Sequence, residues 1–400
     1  NPPAPPASAP PQLLPVADVT LTPGTPRVIE VRVSRGDYTG VLEAQSNMLP
    51  RCGTGVSGTG RNGVLLLGEA YGEKEVKAGG LPFKGPAGFQ LETMLQRAGL
   101  ARDDFLVSNV VWAQPPKNRE PGPDEVEAHR QYWEPLIAQY GIKVLVPLGN
   151  CPLKATLGLD GIQGKRGYQW WVERYQCWVL PTVHPSFILR GNAEWKAVWM
   201  RDVLQAVQIA LVGSPALPRR TLTLDPKVEG AQAWVEAWKA AGYRPLAVDI
   251  ETPRKDDDDQ ETSLPIYRIG FAWRDATRTY GLSLPYGGQY LTPIGDLLNK
   301  SALRVVWNRH FDVPRLWAHG YTLSGPIHDA QEMWHVLHPD LPKRLEFVAP
   351  ILIPGQLYWK DQNVDHPAYY NGTDACVTIE AFEVLWGYAG TASGAGLFPL

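Results

Sequence analysis

The chain has 400 residues, 44% of them apolar, and carries a net charge of −3 with a pI near 6.3. That length is too great for one hydrophobic core and calls for two domains, and the apolar share is ordinary for globular chains. The charge balance excludes an overall basic character, so nucleic-acid contacts must come from local patches. No apolar run is long enough to span a bilayer. The start, Asn1-Pro2-Pro3, has no basic segment followed by an apolar one, so it is not a secretory signal, and its lack of a methionine reads as a processed or trimmed product. Cys52, Cys151, Cys177 and Cys376 form no C-x-x-C pair and no zinc spacing, which fits a reducing, cytoplasmic setting without a membrane partner. Most of the fifteen tryptophans are expected in cores, with a few left to stack on bases.

In chain order, residues 1–17 are Pro/Ala-rich and read as an extended tail. A strand pattern over 27–33 precedes Gly-rich turns. A buried strand over 64–67 runs into Gly68-Glu69-Ala70-Tyr71-Gly72. A helix over 89–98, a strand over 105–112, a helix over 124–140, a strand over 143–148 and a short helix over 152–157 follow. Two strands joined by a turn fill 168–183, and a helix with an apolar stripe covers 194–212. Strands alternating with helices imply a mostly parallel sheet covered on both faces. Ligands in such folds sit beyond the carboxyl ends of the strands, where Glu69, Asn109 and His184 are expected. Residues 213–220 (Gly-Ser-Pro-Ala-Leu-Pro-Arg-Arg) read as a linker between a domain over 18–212 and one over 221–390. The second domain opens with a strand, a helix over 228–241 and a strand over 246–250. Strands over 267–273, 279–284 and 303–307 follow, and a helix opens near Tyr370 and runs to about Trp386. Residues 391–400 form a C-terminal tail.

The stretch Leu246-Ala247-Val248-Asp249-Ile250-Glu251-Thr252 organises the second domain. On a strand, residues i and i+2 point to one face, so Asp249 and Glu251 present hard oxygen ligands side by side, as Mg²⁺ or Mn²⁺ requires. Alone, such a pair also reads as a solvated strand exit. Asn308-Arg309-His310-Phe311-Asp312 follows another buried strand, and Tyr370-Asn371-Gly372-Thr373-Asp374 places Tyr370 and Asp374 on one helical face. Four converging carboxylates are costly without cations, and two metals would clamp both oxygens of an in-line phosphoryl displacement. The run Asp256 to Asp259 reads as a solvated hairpin tip.

These three segments, in this order, resemble the DEDD-type 3′–5′ exonucleases of the tyrosine subclass, above all the proofreading domain of phage-type family A (polymerase I-like) DNA polymerases. The resemblance implies a ribonuclease H-like fold and two Mg²⁺ or Mn²⁺ ions. Asp249, Glu251 and Asp374 would bind the first metal, with Asp249 bridging to the second. Asp312 would hold the second partly through water, and Tyr370 would orient the attacking water. In such a polymerase the polymerase domain would begin beyond 391–400.

The first domain carries Gly68-Glu69-Ala70-Tyr71-Gly72, then Pro82-Phe83-x-Gly85-x-Ala87-Gly88 and Asn109-Val110-Val111. Pro115-Pro116-x-Asn118-Arg119-x-Pro121 and His184-Pro185-Ser186 follow. The series resembles the uracil-DNA glycosylase superfamily, family 4, the iron–sulfur type, and implies a parallel-sheet α/β sandwich. Phe83 would stack on an extruded uracil. The Asn109 amide has both a donor and an acceptor, so it can pair with O4 and N3–H. His184 would donate to O2 as negative charge develops there. The resemblance implies that Glu75 crowds C5 and that Glu69 shapes the first loop. Tyr71 stands where the family has proline and Ala70 where some glycosylases carry aspartate. Trp133 stands near a position expected to carry a cluster cysteine, so no iron–sulfur cluster is expected. Lys84, Lys117, Arg119, Lys165, Arg166 and Arg190 gather near the expected mouth, as phosphate contacts or as a solvated loop surface.

The combined reading is the N-terminal part of a phage DNA polymerase, acting on frayed or uracil-containing DNA in replication. Two alternatives stand beside it. In one the glycosylase-like domain is a catalytically dead DNA-holding or partner-docking module, and in the other the chain is a stand-alone repair nuclease that excises uracil.

Overall fold

The computed structural model describes residues 54–253, 265–323 and 325–390. The 1–17 tail, the strand over 27–33, Cys52, the aspartate run at 256–259 and the tail at 391–400 lie outside the described residues.

The first sheet is built from β1 (Val56–Ser57), β2 (Val64–Ala70), β3 (Leu106–Val111), β4 (Val144–Pro147), β5 (Trp170–Val172) and β6 (Cys177–Val179). Its order is β1-β3-β2-β4-β6-β5. The four inner strands run parallel, and the short edge strands β1 and β5 pair antiparallel. β3 and β4 are buried along their whole length, and β2 until its last two residues. That is why their sequences read as unbroken apolar runs rather than alternations. Between the strands lie α1 (Glu73–Lys77), α2 (Pro86–Arg97), α3 (Pro123–Gln139), α4 (Asn150–Leu157) and α5 (Ile162–Lys165), and after the last strand come α6 (Pro185–Leu189) and α7 (Trp195–Val212). The helix expected from 89 begins at Pro86, because a proline at the first helical position has no amide to leave unsatisfied. Glu69 and Asn109, expected just past their strands, lie within the last turns of the pleat of β2 and β3.

The second sheet contains β7 (Arg220–Leu224), β8 (Leu246–Glu251), β9 (Arg268–Arg274), β10 (Thr279–Pro285), β11 (Arg304–Val306) and β12 (Ile327–Asp329), in the order β12-β11-β8-β9-β10-β7. β8, β9 and β10 form an antiparallel meander, and β11 and β12 run parallel to β8 on its other side. This is the strand order of a ribonuclease H-like sheet, with β7 added in parallel to β10. Its helices are α8 (Val228–Ala240), α9 (Leu291–Lys300) and α10 (Arg309–Ala318). α8 buries Ala231, Trp234, Val235 and Trp238, the i, i+3, i+4, i+7 stripe of an amphipathic helix, against a core containing Val248, Ile250, Phe271 and Leu282.

α11 (Ala330–Leu337), α12 (Leu345–Leu352) and α13 (Pro367–Gly390) complete the chain. The fold divides into two compact units. Leu217–Asp329 with Gln362–Glu380 forms one, and 54–216 with Ala330–Asp361 and 381–390 forms the other. The segment Ala330–Asp361, expected within 221–390, therefore packs with the first sheet's unit. Tyr168 donates its hydroxyl to the Glu346 carbonyl at 2.6 Å, Gln169 Nε2 donates to the Gln356 carbonyl at 2.6 Å, and Trp195 meets the Phe347 ring edge-on at 4.9 Å. The chain is a mixed α/β protein with two sheet-containing domains. Among the described residues, no helix is long and apolar enough to cross a membrane.

Candidate functional site

In the second sheet, β8 buries Val248 and Ile250 on one face and leaves Asp249 and Glu251 half-buried on the other, as period-2 alternation requires. α13 brings Asp374 to the same place, and one carboxylate oxygen from each of Asp249, Glu251 and Asp374 lies within 4.8 Å of the others. Asp312 stands in the first turn of α10, 3% exposed. Its Oδ1 accepts the Ile250 amide at 3.2 Å. Burial pushes the Asp312 carboxyl well above the ordinary carboxylate range, and the charges of Glu251 and Asp329 push it further. Tyr370 is half-buried one helical turn before Asp374. An all-oxygen donor set of this spacing fits a hard divalent cation such as Mg²⁺ or Mn²⁺, whose charge would offset the mutual repulsion.

Asp329 was not singled out from the sequence. It ends β12, and its carboxylate accepts the amides of Asn308 at 3.1 Å and Arg309 at 2.7 Å, capping the helix that carries Asp312. An acidic residue closing a short parallel strand was the available signal.

In the first sheet, Gly68 on β2 lies in register with Asn109 on β3. A Cβ at residue 68 would stand 2.6 Å from the Phe83 ring and would collide with Asn109 Oδ1, so glycine is what lets ring and amide converge. Asn109 is 2% exposed and its Nδ2 is a buried donor without a partner among the described residues, a cost normally met by a ligand or water. Phe83 has φ of 57°, outside the usual range for its type. It is held there from both sides. Glu75 Oε1 accepts the Phe83 amide, while Arg102 donates to the Phe83 carbonyl at 3.2 Å and the Pro82 carbonyl at 3.0 Å. Glu75 Oε2 accepts the Gly72 amide at 2.6 Å, so both its oxygens serve the loop.

The His184 ring lies 5.6 Å from the Phe83 ring, tilted by 32°. His184 Nδ1 accepts the Ser186 amide at 3.1 Å, which leaves the ring proton on Nε2. Burial lowers the His184 pKa to about 4, and the Arg190 charge acts in the same direction. At neutral pH the ring is therefore an uncharged Nε2–H donor. Burial also raises the Glu69 carboxyl, Glu120 adding and Arg190 opposing. Tyr71 is 1% exposed, and its amide donates to the Ala113 carbonyl at 3.2 Å. A cavity of about 500 Å³ borders His184, with Lys165, Arg190 and Arg344 on its walls.

The expected basic patch divides. Lys84, Lys117 and Arg190 are exposed, Arg119 is exposed and paired with Glu125 at 2.6 Å, and Lys165 lies 3.9 Å over the Tyr358 ring. Arg166 is a correction. It is 1% exposed, its Nε donates to Asp202 Oδ2 at 2.7 Å and its Nη1 to the Phe347 carbonyl at 3.1 Å, so it serves the interior and not a phosphate surface. Sequence alone could not separate it from its neighbour Lys165.

Among the described residues, the three cysteines do not make a four-thiolate set. Cys151 and Cys177 are buried thiols of one unit, and burial raises the pKa of both. Cys376 lies in the other unit, where a Cβ at Gly281 would stand 2.6 Å from its sulfur. Trp133 is fully buried, edge-on to Tyr175.

Comparisons with known proteins bear on both units. Residues 57–208 match the family model of the uracil DNA glycosylase superfamily. The type-4 uracil-DNA glycosylase of Pyrobaculum aerophilum is 39% identical over 142 residues, 33% of this chain and 70% of that protein. A DNA polymerase of Bacillus phage SP01 is 29% identical over 179 residues, 42% of this chain and 18% of that protein. Among solved structures, Escherichia coli RNase D, an exoribonuclease involved in structured RNA processing, aligns with a TM-score of 0.31 and 13% identity over 43% of this chain and 47% of that one, a likeness too slight to build on. The identity and coverage shared with the type-4 enzyme, together with the family match over 57–208, the stretch that contains Gly68, Phe83, Asn109 and His184, make this chain a member of the uracil DNA glycosylase superfamily.

Proposed function

We propose that the chain is a DNA-processing enzyme joining a two-metal 3′–5′ exonuclease to a uracil-reading unit. The observation that carries the nuclease reading is the meeting of Asp249, Glu251 and Asp374 within 4.8 Å, from a strand and a helix far apart in sequence. Asp249, Glu251 and Asp374 would hold one divalent cation, and Asp249 and Asp312 a second. The cations would supply Lewis-acid stabilisation of the attacking and leaving oxygens. The chain's own residues would do the rest. Tyr370 orients the attacking water from the face it shares with Asp374, and the buried Asp312 carboxylate keeps its geometry through the Ile250 amide.

In the superfamily unit, Phe83 would stack on an extruded base. The Asn109 amide would offer its unpartnered Nδ2–H to O4 and its oxygen to N3–H. The His184 Nε2–H would donate to O2 as the glycosidic bond breaks and charge gathers on the base. A neutral donor suits that task, because it gains strength as the anion forms. The exposed Lys84, Lys117 and Arg190 would meet phosphates. The similarity to a phage DNA polymerase supports placing the chain in replication, with nuclease and base-reading units as the N-terminal part of a polymerase of family A. Ala70, which supplies no carboxylate, favours a second reading in which this unit holds uracil-containing DNA without cutting it.

One assay separates these readings. The protein is incubated with uracil-containing single- and double-stranded DNA in excess EDTA, then treated with alkali. Strand breaks at uracil mean that the first unit is a working glycosylase. Intact DNA, with digestion from the 3′ end returning in Mg²⁺, assigns the chemistry to the carboxylate site alone. No digestion in Mg²⁺ or Mn²⁺ overturns the nuclease reading.

A further inference from the structure

Asn371 lies between Tyr370 and Asp374 in α13 and is fully buried. It is three residues before Asp374, so the two share a helical face. Its Nδ2 donates to Asp249 Oδ2 at 2.8 Å and to the Asp249 carbonyl at 3.2 Å. On its other side, Asn371 Oδ1 accepts the Ser283 hydroxyl at 2.7 Å. The Ser283 oxygen in turn accepts Arg268 Nη1 at 3.1 Å, and the same Nη1 reaches Asp225 Oδ1 at 2.7 Å.

The direction of this chain is fixed by chemistry. Arg268 can only donate, so the Ser283 oxygen is the acceptor there and its own proton points onward. That proton goes to Asn371 Oδ1, which settles the orientation of the amide. The Nδ2 end is left facing a carboxylate and a carbonyl, both acceptors. From the Ser283 hydroxyl onward each donor therefore points toward Asp249, while Arg268 is shared with Asp225.

The backbone is shaped to admit this arrangement. Gly270 stands in register with Asp249 across β8 and β9. A Cβ at residue 270 would lie 2.8 Å from both the Asn371 carbonyl oxygen and its Oδ1. Glycine at this point in a central strand costs packing and backbone entropy. Here it lets the amide reach across to Asp249.

We propose that Asn371, backed by Ser283 and Arg268, is a positioning residue that orients Asp249 for metal. The proposal rests on the nuclease reading, and it adds a requirement that the carboxylates alone do not contain. A cation-binding carboxylate needs a fixed rotamer, but a lysine or arginine touching it would compete with the cation. A neutral amide gives direction without charge. It occupies one lone-pair site of Oδ2 and brings no positive charge that would compete with the cation. Partners of this kind are typically worth about 10- to 100-fold in metal affinity.

The test uses the whole chain and Mn²⁺ as the probe. Mn²⁺ affinity is read by electron paramagnetic resonance or calorimetry, and digestion of a 3′-recessed DNA is followed across a Mn²⁺ titration. Asn371→Ala should weaken Mn²⁺ binding about 10- to 100-fold and shift the half-activating Mn²⁺ concentration by a like factor. KM for DNA should stay unchanged, and saturating Mn²⁺ should restore most of kcat. A merely structural defect would not be repaired by metal. Ser283→Ala, which removes the link behind Asn371 without touching Asp249, should give a smaller shift of the same kind. Should Asn371→Ala fail to fold, Ser283→Ala carries the test by itself. Asp249→Asn is the control on the underlying reading. If it leaves Mn²⁺ binding and digestion intact, the metal reading of the site falls and the proposal falls with it. If Asp249→Asn abolishes both while Asn371→Ala and Ser283→Ala match the unaltered protein at every Mn²⁺ concentration, the proposal alone is overturned.

Discussion

Asp312 accepts the backbone amide of Ile250 at 3.2 Å, and Ile250 is the residue that separates Asp249 from Glu251. The bond ties α10 to β8 at the point where two carboxylates flank the strand. It sets a fourth, buried carboxylate against the strand, beside the three whose oxygens meet within 4.8 Å, and the Arg315 charge partly offsets those of Glu251 and Asp329 there. Asp329, capping the same helix, adds negative charge behind it. On the proposed nuclease reading the cluster would take divalent metal, and its members differ in what their loss should do.

Replacing Asp249 and Glu251 together by alanine should abolish metal-dependent digestion of DNA, by at least about three orders of magnitude if both cations are lost. Both side chains are half-buried and lie off the apolar face of β8, so the melting temperature should change by a few degrees at most. Digestion assays in Mg²⁺ beside thermal melting check the two halves. Residual digestion near the unaltered level would place the site elsewhere.

His184 should make the protein acid-sensitive. Its folded-state pKa, about 4, lies below the ordinary value of 6.5 because burial disfavours the charged ring. Between those values the unfolded chain binds the proton and the folded chain does not, so the unfolded state is favoured as pH falls. The associated stability is fully present above pH 6.5 and is lost as pH drops through 6.5 toward 4. Denaturant melts at pH 7.5, 6 and 5 should show this slope, and His184→Gln should flatten it. Binding of uracil-containing DNA should be level between pH 6.5 and 8, since the ring is neutral throughout.

Asn109→Ala should lower the preference for uracil over cytosine by about tenfold or more, the value of one or two buried hydrogen bonds. The same change should cost little stability, because Nδ2 has no partner to lose among the described residues. Competition binding with uracil- and cytosine-containing oligonucleotides in EDTA reads the first effect and thermal melting the second. Equal affinity for both bases in the unaltered protein would remove Asn109 from the pocket.

Arg166→Ala should destabilise by about 3–5 kcal/mol, since it leaves Asp202 buried without its cation. Both side chains have no exposed surface, and Thr182 already uses its hydroxyl on Asp202 Oδ2 at 2.6 Å. Under conditions where the variant is folded, the salt dependence of DNA binding should match that of the unaltered chain. A shallower slope would mean that Arg166 neutralises a phosphate after all.

Much of this was legible before any coordinates. Period-2 alternation put Asp249 and Glu251 on one face, and helical spacing put Tyr370 above Asp374. Unbroken apolar runs announced the parallel strands, because a strand covered on both faces has no polar side to alternate with. Local rules of this kind act over a few residues, so a linear reading reaches them. Partnerships across the fold were out of reach. The sequence marked Arg166 and Lys165 alike, and only packing turned one inward to Asp202. It did not show that both Glu75 oxygens accept the amides of Gly72 and Phe83. It passed over Asn371, Ser283 and Gly270, whose meaning lies in bonds spanning up to 122 positions. What the sequence determined by itself was which residue types sit on which face. Which donor meets which acceptor was decided only by the tertiary structure, because a hydrogen bond depends on ångström-scale placement of groups that the chain brings together only when it folds.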